Sequence, residues 1–306
     1  MFDPKKPGRF YSRWLNGNMV FYPGSVGPGN EYFVDATNGS ATNTGESWEQ
    51  ALITIDAAVD LCTASNGDVI YVAPFHTETL AADSAIDIDL AGVSVIGVRI
   101  GRQMPTLSVT AAAGDCKLAA ANCMIQNLRF TGDVDAGTGC IEVSAADCAV
   151  IDCEYRDVTG QATDILVTNG ATRLLVDGFV VHGAAGDGGD SAIMLDECDF
   201  AEIKNCRLIG NFDAGAIECR TTACDDIWVH DCVIKTFGSE DLAVADTITA
   251  STGIIGPNMF IQLADNAANI TEAVTGVTFV IMDVGVHVVN LAGEKSLAIN
   301  WTASTD

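Results

Sequence analysis

The sequence predicts an all-β chain, a right-handed parallel β-helix solenoid with an N-terminal capping helix. Three observations carry that expectation. A short pattern recurs five times, the apolar residues inside each copy alternate at spacing two, and a glycine closes each copy, at Gly132, Gly160, Gly183, Gly210 and Gly238. The copies read Ile125-Gln126-Asn127-Leu128-Arg129-Phe130, Val150-Ile151-Asp152-Cys153-Glu154-Tyr155, Leu175-Val176-Asp177-Gly178-Phe179-Val180, Ile203-Lys204-Asn205-Cys206-Arg207-Leu208 and Val229-His230-Asp231-Cys232-Val233-Ile234.

The Asx positions Asn127, Asp152, Asp177, Asn205 and Asp231 stand 25, 25, 28 and 26 residues apart. A fixed period of this size signals stacked supersecondary units. Alternation at two is the periodicity of strands, not of helices. A leucine-rich repeat needs an L-x-x-L-x-L consensus, which is missing. In a β-helix the Asx falls at a tight bend between two strands, where its side chain tolerates left-handed backbone and bonds to nearby amides. The five residues are therefore read as a structural ladder.

The cysteines follow the same register. Cys153, Cys206 and Cys232 each come one residue after the Asx, where Leu128 and Gly178 stand in the other copies. Cys123 and Cys148 come four before it, Cys198 and Cys224 seven before it, and Cys140 and Cys219 twelve before it. The chain has 11 cysteines, an odd number, with no Cys-x-x-Cys or Cys/His cluster to suggest a metal. They read as small buried hydrophobes stacked on their own kind, kept reduced in a reducing cytoplasm.

A chain of 306 residues buries a large core, and 30 glycines against 7 prolines suit tight turns between short strands. Net charge is −26, from 41 acidic and 15 basic residues. Nucleic acid and anionic membranes both need clustered Lys and Arg, so neither is an expected partner. The first residues carry no apolar secretory segment and no 18-residue apolar run follows, so neither export nor membrane spanning is expected.

Four parts are expected along the chain. Residues 1–30 form an arm rich in Pro and Gly, with basic and aromatic residues concentrated in it: Lys5, Lys6, Arg9, Phe10, Tyr11, Arg13, Trp14, Phe21 and Tyr22. Such residues dominate interface energetics, so the arm reads as a docking element. Residues 31–92 hold the cap helix and first turns. The helix is placed by a capping box, Ser47-Trp48-Glu49-Gln50, followed by Leu52, Ile55, Val59 and Cys62 at helical spacing. Residues 93–238 are the regular β-helix, and residues 239–306 hold degenerate last turns and a C-terminal tail.

No catalytic constellation is expected. Arg156, Arg173, Arg207 and Arg220 fall in different columns, and the four histidines pair with no nucleophile. Asp152 and Asp177 share a column but belong to the ladder. Glu197, Glu202, Glu218, Asp225 and Asp226 read as solvated surface. No cofactor and no metal is implied.

The stretches Tyr32-Phe33-Val34-Asp35-Ala36-Thr37-Asn38-Gly39, Gly67-Asp68-Val69-Ile70-Tyr71-Val72-Ala73-Pro74 and Gly92-Val93-Ser94-Val95-Ile96-Gly97 resemble the opening of phage and prophage right-handed β-helix proteins of the pectate-lyase-like fold. Ala264-Asp265-Asn266-Ala267-Ala268-Asn269-Ile270-Thr271-Glu272-Ala273 is similar to their closing segment. The resemblance implies a non-enzymatic virion protein, a capsid decoration or projection bound by its N-terminal arm to a capsid or other virion protein. It also implies a homo-oligomer, with a trimer expected. The acidic body implies a place on the virion exterior, away from packaged DNA. The alternative is a tailspike-like protein that binds or cleaves host polysaccharide.

Overall fold

Each repeat contributes three short strands, one to each of three parallel sheets, in the computed structural model of the chain. It describes residues 13–15, 18–20, 29–132, 134, 139–157, 163–167, 171–183, 191–212, 214–236, 244–246, 251–262, 274–275, 279–281 and 285–288. Among these residues sheet I has ten strands, from Glu31–Val34 to Phe279–Ile281; sheet II has nine, from Thr77–Leu80 to Gly285–Val288; sheet III has eight, from Ile86–Ile88 to Val274–Thr275. The chain passes from I to II to III and back to I one rung higher, so the fold is a parallel β-solenoid. Among the described residues no helix is long and apolar enough to cross a membrane.

Alternation sets the inside. On sheet II, Leu107, Phe130, Tyr155, Val181, Leu208 and Ile234 stack in one buried column, while their strand neighbours face outward. Burying one such aromatic matters: truncating a core Phe to Ala typically costs about 3–5 kcal/mol.

Of the three corners in each turn, two use left-handed backbone. From sheet I to sheet II the bend residues are Asn127, Asp152, Gly178, Asn205 and Asp231, with φ of 55°, 50°, 73°, 54° and 55°. Asp177 is therefore not a rung of this ladder. It ends the strand Leu175–Asp177 and pairs with Ile151 below and Lys204 above. Val176 rather than Leu175 aligns with Val150 and Ile203, which moves the bend to the glycine. Asp152 and Asp177 thus share no column. The correction also moves the cysteine column: Leu128, Cys153, Phe179, Cys206 and Cys232 stack there, with Phe179 in the place assigned to Gly178.

The bend from sheet III to sheet I is a second ladder that the sequence reading missed. Ser65, Gly92, Asn122, Asp147, Arg173 and Phe200 all have φ between 57° and 79°. Each donates its amide to a carbonyl of the next rung: Ala91, Ala121, Ala146, Thr172, Asp199 and Asp225, at 2.6–3.1 Å.

At the N-terminal end the expected helix over 47–62 is mostly absent. Ser47 makes no capping hydrogen bond, Trp48–Gln50 is a 3₁₀ turn, and Leu52 is held extended by bonds to Phe33 and Asp35 at 2.8 Å each. One helical turn remains, Ile55–Val59, capped by Thr54 Oγ1 accepting from the Ala57 amide. Leu52, Ile55, Val59 and Cys62 are all buried, so the apolar spacing marks an inward face that is only partly helical. This turn packs on Ile86–Ile88, the end strand of sheet III, where Asp56 accepts from the exposed-edge amide of Asp87 at 3.1 Å.

All eleven cysteines are buried thiols outside any disulfide. Cys140 and Cys219 share no column, because Cys219 aligns with Leu195 and Cys140 precedes the strand Ile141–Val143.

Candidate functional site

The predicted site residues separate into three groups. Of the docking arm, Lys5, Lys6, Arg9, Phe10, Tyr11, Phe21 and Tyr22 lie outside the described residues. Arg13 and Trp14 stand in the strand Arg13–Leu15, which pairs antiparallel with Asn18–Val20. The ladder and the cysteine column are at the corners described above. Asn205 Nδ2 donates to Asp177 Oδ1 at 2.8 Å, so Asp177 still supports the ladder from the neighbouring strand position.

His76 and His230 are held within the frame. His76 is 1% exposed, its Nδ1 accepting from the Ala36 amide at 3.0 Å and its Nε2 facing Glu78 at 3.1 Å. That geometry fixes Nε2 as the protonated nitrogen. His230 stacks on Trp228, ring centroids 3.9 Å apart, and bridges Asp231 and Glu202. His182 is exposed on sheet II, 3.7 Å from Glu154.

Chemistry is most concentrated at the N-terminal end of sheet III. Asp83, Asp115 and Glu142 bring one carboxylate oxygen each to within 4.8 Å of one another. The fold does this by stacking: Glu142 is central in the strand Ile141–Val143, Asp115 precedes Cys116–Leu118 one rung below, and Asp83 lies in the loop before Ile86–Ile88. Lys117 pairs with Glu142 at 2.8 Å, and the Ser84 amide donates to Asp115 at 2.6 Å. Asp115 is 3% exposed. Burial pushes its carboxyl up to about 7; the Ser84 amide opposes the rise, and the charge and hydrogen bond of Glu142 add to it. Asp115 thus holds a proton up to near neutral pH, beside Glu142. Three oxygen donors of this kind suit a hard divalent cation, and the acid–carboxylate pair suits proton transfer. No local pattern marks the cluster, because its members come from three different rungs.

Glu218, read as solvated surface, is 2% exposed on sheet III with Arg220 Nη1 3.9 Å away. Arg156 and Arg207 stand in different columns, as expected, but on the same outward face of sheet II.

No family model matches the chain, and no curated protein matches it. Among solved structures it is similar to the GH136 lacto-N-biosidase from Eubacterium ramulus, with a TM-score of 0.39 and 11% identity over 85% of this chain and 68% of that one.

Proposed function

We propose that the protein is a non-enzymatic structural component of a phage particle, a rigid acidic projection on the outside of the capsid. It attaches through its N-terminal residues and assembles as a homo-oligomer. The observation that carries this reading is how the outward charges are used. Lys117 pairs with Glu142, Arg129 with Glu154, and Arg173 with Asp147, each across one rung. Side chains committed along the axis stiffen a rod. Ten strands at about 4.8 Å make that rod roughly 45 Å long. The high negative charge favours a place away from packaged DNA.

Imaging the intact particle by cryo-electron microscopy tests the reading. Regularly spaced rods on the shell are the expected result. Density confined to the tail tip, or none on the particle, would overturn it.

A second reading rests on the neighbouring carboxyl groups of Asp115 and Glu142, since glycoside cleavage uses a pair of carboxyl groups. Against it stands the burial of Asp115, since a general acid has to touch the leaving oxygen. Release of reducing ends from host surface glycans by the wild type, abolished in Asp115→Asn, would establish this second reading.

A further inference from the structure

The outward face of sheet II departs from the charge of the rest of the molecule. Five consecutive rungs place on it Arg129, Arg156, His182, Arg207 and Lys235. Among the described residues, the one acid at an outward position of these rungs is Glu154. The whole chain, by contrast, has 41 acidic residues to 15 basic. Arg129 bonds Glu154 through Nε and Nη2 at 3.1 and 3.0 Å, and Arg156 bonds its other oxygen. Glu154 is therefore consumed by two guanidinium groups. Burial raises its carboxyl, and the bonds from Arg156 and Arg129 outweigh that and hold it below the usual range. Arg156 remains 54% exposed and His182 45% exposed.

The spacing of the cations is fixed by the backbone. Consecutive rungs lie about 4.8 Å apart, so the row runs roughly 19 Å along the axis. It occupies two adjacent side-chain columns, with neutral Thr131, Val180, Ile209 and Val233 filling the other outward positions. A narrow, flat track with four Arg and Lys side chains over five rungs, and His182 among them, fits a single extended polymer better than the broad surface of a folded partner. The acidic remainder of the body does not forbid this: beyond a Debye length of about 8 Å at physiological salt its charges are largely screened.

We propose that this face of sheet II is a binding track for a linear acidic polysaccharide, with the sugar carboxylate or sulfate groups spaced along the rungs. Arg207 and Arg156 are its principal contacts, and Arg129 with Glu154 forms its floor. The site goes beyond the structural role proposed above and does not depend on it, because its test uses the isolated full chain.

The test is fluorescence anisotropy with labelled polygalacturonate, and labelled neutral dextran as the control polymer. Polygalacturonate is expected to bind at low salt and to be released as salt is raised, with dextran inert. Arg207→Glu and Arg156→Gln should each weaken binding about fivefold or more, the effect of losing one partly exposed charge contact. Arg220→Gln, on another face, should leave it unchanged. Circular dichroism checks that each variant keeps its sheet. Equal binding of dextran, or undiminished binding by the two track variants, would overturn the proposal. So would absence of polysaccharide binding, with or without salt-sensitive self-association that Arg207→Glu abolishes; the latter would assign the row to a second copy of the chain.

Discussion

Asp152 lies directly against Gly178 at the bend between sheets I and II, so that a Cβ on residue 178 would stand 2.5 Å from Asp152 Oδ1. Gly178 also holds φ at +73°, where a side chain is strained. Gly178→Ala should therefore cost about 1–2 kcal/mol, from left-handed strain and from displacing the carboxylate. Asp177→Ala removes one partly exposed hydrogen bond to Asn205 and should cost about 1 kcal/mol or less. Chemical denaturation of the two variants decides the register. A larger loss for Asp177→Ala would return the ladder position to Asp177.

That register shows what was legible in the chain. Alternation and period revealed the stacked strands, because inward residues such as Val150 and Ile203 must be apolar on every rung. At Val176-Asp177-Gly178 both Asp and Gly suit a left-handed bend, and only pairing with the neighbouring rungs chooses between them. The second ladder was invisible for a different reason. Ser65, Gly92, Asn122, Asp147, Arg173 and Phe200 share no side-chain chemistry; their common backbone is imposed by the amide bond each makes to the next rung. The Asp83–Asp115–Glu142 cluster and the cations of sheet II are likewise products of stacking, since no local pattern joins residues a whole rung apart.

The cysteine column makes a chemical prediction. Cys153, Cys206 and Cys232 are each at most 1% exposed. Burial pushes the thiols of Cys148, Cys153 and Cys198 up to about 12, so the reactive thiolate is scarce at neutral pH. Within the Cys206–Cys232 pair, the mutual hydrogen bond holds Cys206 high and Cys232 low. Iodoacetamide should leave all the column cysteines unmodified in the native protein and alkylate them on unfolding. Native-state alkylation of Cys153 or Cys206, read by mass spectrometry, would contradict the packing.

Asp68 is a buried anchor. It is 0% exposed and accepts from the Asn30 amide at 2.5 Å, the Thr63 amide at 2.6 Å and Asn66 Nδ2 at 2.7 Å. These bonds tie the first strand of sheet I to the segment after the helical turn. Asp68→Ala leaves three donors without their acceptor and should cost about 3 kcal/mol or more. Limited proteolysis should then open residues 29–66 before the rest of the solenoid. A denaturation midpoint equal to that of the wild type would remove Asp68 from this role.

Asp115 gives the pH dependence its sign. Its folded-state carboxyl titrates at about 7, well above the ordinary value of 3.8. The folded chain therefore holds a proton that the unfolded chain has lost between these two values. By linkage, the contribution of Asp115 is fully present below about pH 4 and disappears as pH rises through about 7, the reverse of a salt-bridged carboxylate. Glu154 and Asp147, held low by their arginines, act in the opposite direction at acid pH, so the total profile mixes both signs. The difference between wild type and Asp115→Asn isolates one group. Asparagine cannot ionise, so the variant should gain on the wild type across pH 4–7, by a few kcal/mol at most. Parallel denaturation curves at several pH values measure that difference; a variant that gains nothing on the wild type, or loses ground to it, between pH 4 and 7 would show that the folded Asp115 carboxyl is not raised.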